Sequence, residues 1–189
     1  MRNSWRMVLV MALVFALTPT AHLKLAQAQE GKIVPYVPTP QDVVERMLEM
    51  AQVKKGDVVY DLGSGDGRIV ITAAQKFGVR AIGFEIDPER IKESRENIKK
   101  AGVEKLVEIR QQDIRSVDLS PASVLTMYLL PEVNLMIRPN IWKQMKPGSR
   151  VVSHDFDMGD WKPLKTENIK DGHNWDHTLY LWHVEAGKK

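Results

Sequence analysis

No cysteine occurs anywhere in the 189 residues. A disulfide framework, a thiolate-bound metal and any reaction through a thiol nucleophile are therefore excluded. The pattern G-x-x-x-x-G-K-[ST], whose lysine reaches the terminal phosphates of a nucleoside triphosphate, is also missing. No internal repeat or low-complexity tract is present. Apolar residues make up 43% and charged residues 27%, the balance of a globular chain long enough for one domain and too short for two ordinary ones.

An excess of one charge is lacking too, once the N-terminus is set apart. Arg2 and Arg6 lead into the unbroken apolar run Met7 to Leu17, and Ala26-Gln27-Ala28 offers small residues for cleavage. These are the three parts of a secretory signal, and the run is short for a membrane span. The expected organisation is a signal peptide or membrane anchor over residues 1–28 and one domain over 29–189. The expected address is periplasmic or extracellular, or at a membrane through an uncleaved signal. Arg2, Arg6 and Lys24 are the only charges of that segment, so the rest of the chain balances 24 basic against 24 acidic residues. The formal +3 of the whole belongs to targeting and provides no nucleic-acid footprint.

What is present is concentrated between Val58 and Asp87. A strand-like run ends at Asp61, glycines follow at Gly63, Gly65 and Gly67, a helical pattern begins, and a second strand-like run ends in Glu85. Glycine has no Cβ and reaches positive φ, so the backbone can turn tightly and approach a ligand at the mouth of a sheet. An acid at the tip of the second strand can accept hydrogen bonds from ribose hydroxyls. The stretch reads as a nucleotide-binding half-site. The dinucleotide fingerprint G-x-G-x-x-G needs a glycine at position 68, where this chain has Arg68. Asp61 and Asp66 bracket the loop, and their charges oppose a pyrophosphate. S-adenosylmethionine, with an α-ammonium, a sulfonium and no phosphate, suits an acidic glycine loop better.

Turn and cap signals predict the elements around this half-site. Thr39 caps a helix that opens with Pro40 and buries Val43, Val44, Met47, Leu48 and Ala51. A helix spans about Gly67 to Phe77, and a strand Arg80 to Glu85. A further helix is capped by Asp87, opened by Pro88 and closed by Gly102. Val107 and Ile109 mark a third strand ending near Asp113, and Ala122 to Leu130 a fourth. Pro131 opens a helix carrying Leu135, Ile141, Trp142 and Met145. Ser149 to Ser153 is a fifth strand, and Thr166 to Val184 folds back around Asp171-Gly172. The alternation predicts a mostly parallel sheet with helices on both faces and an antiparallel hairpin at one edge.

Four segments carry a family resemblance: Tyr36-Val-Pro-Thr-Pro40, the glycine loop, Thr126-Met-Tyr-Leu-Leu-Pro131 and Val151-Val-Ser-His-Asp-Phe156. From Tyr36 onward the chain closely resembles the small archaeal protein-lysine methyltransferases of the class I superfamily. These are related to mitochondrial lysine methyltransferases of the adenine nucleotide translocase and of the ATP synthase c-subunit. The resemblance implies an α/β fold, Rossmann-like and doubly wound, with a mostly parallel seven-stranded sheet whose last two strands form the C-terminal hairpin. It implies S-adenosylmethionine as cofactor, with Asp61, Gly63 and Gly65 beside the methionine part, Glu85 on the ribose and Asp113 near the adenine amino group. Thr39, Ser64 and Gly67 complete the expected cofactor set. It further implies transfer to the ε-amine of lysine on a protein partner, with no nucleic acid involved.

Tyr128, His154 and Asp155 are the candidates for the methyl-transfer site. Tyr128 ends the fourth strand, where amino-methyltransferases acting on adenine or glutamine carry Asn-Pro-Pro-Tyr or Asp-Pro-Pro-Tyr. That motif is absent here, which argues against base or amide methylation, and the Tyr128 hydroxyl or ring can orient an amine, with a core tyrosine as the alternative. After the fifth strand, a carboxylate can hold an ammonium and an imidazole can relay its proton, with structural hydrogen bonding as the alternative. His173 and His177 are four apart on a predicted loop and strand without a neighbouring ligand set, so no metal is expected. Two other functions remain compatible: an exported S-adenosylmethionine-binding protein without catalysis, and a small-molecule methyltransferase, for which few residues are left to build a lid.

Overall fold

The structure, a computed structural model, describes residues 36–187. The signal or anchor expected over 1–28 lies outside the described residues. Along the described chain run α1 (Gln41–Met50), β1 (Val58–Leu62), α2 (Arg68–Phe77), β2 (Arg80–Glu85), α3 (Pro88–Ala101), β3 (Val107–Gln111), β4 (Val124–Met127), α4 (Pro131–Gln144), β5 (Arg150–His154), β6 (Lys165–Lys170) and β7 (Asp176–His183), with one 3-10 turn at Ile114–Ser116.

The seven strands form one sheet in the order β3-β2-β1-β4-β5-β7-β6. The first five run parallel, and β7 is inserted antiparallel between β5 and β6. The apolar stripe Val43, Val44, Met47 and Leu48 of α1 joins Val70 and Ala73 of α2 and Ile91 and Ile98 of α3 on one face. On the other face, Val133, Ile137 and Ile141 of α4 pack with Trp161 and Trp182 against Leu62, Ile82, Leu125 and Met127. With both faces covered, the central strands β1 and β4 bury nearly every side chain, which is why they read as apolar runs, whereas the edge strand β3 alternates. Parallel register aligns the carboxyl ends: Asp61 lies beside Gly83 and Thr126, and Met127 beside Leu62 and Ser153. Strand order reverses between β1 and β4, which opens the crevice where ligands of such sheets bind.

Several expectations shift in detail. The fourth strand, expected over Ala122 to Leu130, is confined to Val124–Met127. Its neighbours provide no ladder beyond Leu62 and Ser153, and Leu130, held extended before Pro131, becomes the N-cap of α4. Leu135 of α4 is 44% exposed, while Asn134 is buried. Pro139 inside α4 removes the bond to the Leu135 carbonyl, a loss that falls on this exposed side. Thr39 does not cap α1: Pro40 holds the cap position, and the Thr39 hydroxyl turns inward to His154.

Candidate active site

The ends of β1 and β2 build one half of the site. Gly63, Gly65 and Gly67 all have positive φ, and a Cβ at Gly65 would overlap the Tyr36 ring, so this loop admits no side chain there. The Gly65 N–H donates to Glu85 Oε2 at 2.9 Å, while Glu85 Oε1 accepts from the backbone of Ile86 at 2.8 Å and Asp87 at 3.0 Å. Glu85 thus staples the glycine loop to the tip of β2 and keeps acceptor capacity on Oε2. A Cβ at Gly83 would sit 2.5 Å from Ser64 Oγ, so the absence of a side chain within β2 is what makes room for Ser64.

Asp61 is 2% exposed and accepts from the Thr126 hydroxyl at 2.8 Å. Burial pushes its carboxyl up to about 7, against the opposing effect of that hydrogen bond, and the neighbouring Glu85 and Asp66 charges add to the rise. Asp66 behaves otherwise. Burial opposes its ionisation too, but Arg68 binds it through Nη2 at 2.6 Å and Nε at 2.9 Å and holds the carboxyl below its usual range. Both carboxylates were expected to make the loop acidic; Arg68 neutralises Asp66, which leaves Asp61 as the unpaired acid of the loop. The same guanidinium donates to the Thr39 carbonyl at 2.7 Å. Asp113 caps the 3-10 turn after β3 and accepts from the backbone and the guanidinium of Arg115, which keep its carboxyl low.

The ends of β4 and β5 build the other half. The Tyr128 ring lies 4.0 Å from the His154 ring and stacks at 6.2 Å on Phe156. Its hydroxyl donates to Asp155 Oδ2 at 3.4 Å, and burial raises its pKa, so it remains a neutral phenol. Asp155 has φ +59°, a conformation unusual for a residue with a side chain. It is held there by paired bonds to Thr178: its N–H to the Thr178 carbonyl at 2.7 Å, and the Thr178 N–H to its Oδ1 at 2.8 Å. Asn134 of α4 donates to Ser153 Oγ and to the carbonyls of Phe156 and Asp157, which pins the same turn from the opposite side. His154 is fully buried between Thr39 and His177, and burial pushes its pKa down to about 4, leaving the ring neutral.

All three methyl-transfer candidates therefore converge; Asp61, Gly63, Ser64, Gly65 and Gly67 form the glycine loop and Glu85 bonds it, while Asp113 lies at the turn after β3, held by Arg115. Thr39 stands apart from that loop set in bonding His154 through its hydroxyl. Of the histidine pair four apart, His173 stays exposed on the hairpin loop, while His177 turns in to His154. Arg68, Thr126, Asn134 and His177 were not foreseen. For Asn134 a signal existed, a lone amide on an apolar helix face; the partners of Thr126 and His177 are remote in sequence, while Arg68 turns to Asp66 only two residues away.

The model of the ANTKMT methyltransferase domain matches residues 61–165. A protein-lysine N-methyltransferase of Saccharolobus islandicus is 52% identical over 156 residues, 82% of this chain and 96% of that protein. The chain belongs to the ANTKMT methyltransferase family. The murine adenine nucleotide translocase lysine N-methyltransferase is 34% identical over 148 residues, covering 78% of this chain and 64% of that longer protein. A solved RNA methyltransferase from Salinibacter ruber, in complex with S-adenosyl-L-homocysteine, superposes with a TM-score of 0.76 at 52% identity, over 81% of this chain and 97% of that one.

This methyltransferase uses S-adenosylmethionine, and its residues fit that cofactor. Among the described residues no cation stands beside the buried Asp61 carboxyl, which suits an α-ammonium. Ser64 Oγ is buried without a hydrogen-bond partner, and Glu85 has an acceptor position to spare.

Proposed function

We propose that this methyltransferase transfers methyl groups to the ε-amine of lysine on proteins and does not act on nucleic acid. The observation that carries the reading is the mouth formed by Tyr128, Phe156 and Asp155: stacked aromatic faces with a carboxylate beside them. Aromatic faces and carboxylates attract a cationic side chain and repel a phosphate backbone. Arg138 is engaged with Asp160 and Arg68 with Asp66. The relative from Saccharolobus islandicus supports this reading, and the RNA methyltransferase from Salinibacter ruber favours the competing one.

The bound cofactor supplies an electrophilic methyl on a sulfonium. The chain's own task is to present a neutral amine to it in line. A free lysine, with pKa near 10.4, is protonated at neutral pH and has no lone pair to offer. Once the side chain is drawn in, proximity to the cationic sulfonium and partial burial disfavour the ammonium, and the Tyr128 oxygen, whose proton is directed to Asp155, can accept from the amine N–H and orient it.

We further propose that residues 1–28 direct export or anchoring and that 29–189 form the working domain; the charge pattern Arg2, Arg6, the apolar run and Ala26-Gln27-Ala28 support this. The experiment is incubation of full-length and 29–189 protein with methyl-labelled S-adenosylmethionine and extracts of separate compartments, followed by mass spectrometry. Label on lysine is expected. Label on RNA, arginine or carboxylate with lysine unmodified overturns the reading, and no transfer to any fraction would favour a binder without catalysis.

A further inference from the structure

His177 and Asp171 come from the C-terminal hairpin, and nothing above gives them a function. They continue a single file of polar groups that begins at Thr39. Thr39 Oγ1 lies 3.1 Å from His154 Nδ1, His154 Nε2 lies 2.8 Å from His177 Nδ1, and His177 Nε2 lies 3.5 Å from Asp171 Oδ2. His154 Nε2 is also 3.3 Å from Asp155 Oδ2, the oxygen that receives the Tyr128 hydroxyl.

The proton positions along this file follow from its far end. Asp171 Oδ1 already accepts from the backbone of His173 at 2.9 Å and Trp175 at 2.8 Å, so Oδ2 is the oxygen that faces His177. His177 Nε2 is buried and makes no hydrogen bond among the described residues, and the charge it faces is Asp171 Oδ2 at 3.5 Å. A carboxylate attracts an N–H and repels a lone pair, which places the His177 proton on Nε2 and leaves Nδ1 bare. The bare Nδ1 must then receive the proton of His154 Nε2, and His154 Nδ1 in turn accepts from Thr39. In this tautomer His154 Nε2–H attracts Asp155 Oδ2. In the opposite one, the His154 lone pair would face that carboxylate at 3.3 Å, and the His177 Nδ1–H, farther away at 3.9 Å, would offset the repulsion only in part. A metal ion shared by the two rings and Asp155 is the competing account, since all three offer donor atoms within 4.8 Å of one another. The 2.8 Å between ring nitrogens is a hydrogen-bond length, shorter than the roughly 3.3 Å that tetrahedral zinc with bonds near 2.0–2.1 Å imposes.

We propose that Asp171 and His177 are positioning residues for methyl transfer: they fix His154 as its Nε2–H tautomer and thereby hold Asp155 and the Tyr128 hydroxyl in place for the acceptor amine. This rests on the amine reading of the mouth, and the test separates the two. Asp171→Asn retains Oδ1 for the backbone donors and puts an NH2 group where Oδ2 faced His177. The file should then reverse, with both rings protonated at Nδ1.

The measurement is histidine 15N NMR of the full chain, which needs no acceptor, combined with methyl transfer to the lysine-bearing extract fraction. Wild type should show Nε2–H on His154 and His177, and Asp171→Asn should show Nδ1–H on both. Turnover of the variant should fall by on the order of tenfold or more, with S-adenosylhomocysteine affinity by calorimetry changed less than about twofold. His177→Gln, which retains a polar side chain, checks that the loss does not come from unfolding: it should melt near wild type yet also lose turnover. Wild-type turnover in both variants, an unchanged His154 tautomer in Asp171→Asn, or stoichiometric zinc in the purified protein overturns the proposal. If RNA alone is labelled while the tautomers reverse as expected, the amine reading fails and the hydrogen-bond file stands.

Discussion

Asp61→Asn isolates the energetic cost of keeping an ionisable group in a cofactor site. The unfolded carboxyl titrates at 3.8, and burial raises the folded one to about 7. Because the folded state keeps its proton to higher pH, the associated stability is fully present below pH 3.8 and is lost as pH rises through 7. At 1.36 kcal/mol per unit, the folded protein without cofactor forfeits about 4 kcal/mol across that window. His154 works in the opposite direction: its pKa falls from 6.5 to about 4, so its contribution is present above pH 6.5 and is lost as pH falls through 4. The two slopes oppose each other between pH 4 and 6.5, which nearly flattens the wild-type curve there. Asparagine preserves an acceptor for the Thr126 hydroxyl and removes the titration. Urea unfolding of wild type and Asp61→Asn without cofactor, from pH 4 to 8, should show the variant gaining about 1.4 kcal/mol per pH unit relative to wild type and levelling near pH 7. S-adenosylhomocysteine should bind the variant at least tenfold more weakly at pH 8. A difference curve without slope would refute the claim that Asp61 is an unpaired buried acid.

Glu85→Ala removes both the ribose acceptor and the staple on Gly65, and should cost on the order of 2–4 kcal/mol in S-adenosylhomocysteine binding by calorimetry; near wild-type affinity would remove Glu85 from the site. Tyr128→Phe retains the ring against His154 but not the hydroxyl, so turnover should drop roughly tenfold or more while cofactor affinity holds, as steady-state kinetics beside calorimetry would reveal. The rate with a lysine acceptor should rise from pH 6.5 to 9 as the amine deprotonates, and a flat profile would remove deprotonation from the slow step. Fractionation and N-terminal sequencing should find a mature N-terminus at Gln29, or an intact chain at the membrane; a full-length chain found only in the cytosol would end the export proposal.

The sequence disclosed those parts of this fold that depend on near neighbours. Asp87 does cap α3 with Pro88 in its first turn, and Gly102 does close it in the left-handed conformation, because caps are local hydrogen-bond problems. The α1 stripe and the hairpin were legible for the same reason. Thr39 failed as a cap because a tertiary partner 115 residues away competes for its hydroxyl. The pairing of Asp66 with Arg68 was hidden within two residues, since adjacency in sequence does not say which way a guanidinium turns. His177 was invisible as a partner of His154 until β7 was placed beside β5, an insertion that no periodicity encodes.

Every backbone and carboxylate group assigned to the cofactor, from Asp61 to Asp113, is synthesised before β4 exists, yet β4 stands directly against β1 and its Thr126 supplies the hydroxyl that Asp61 accepts. The half-chain ending near Asp113 therefore carries the ligand-binding residues without the wall that buries them. Asp61 acquires its buried, hydrogen-bonded environment only when the segment 65 residues downstream is in place.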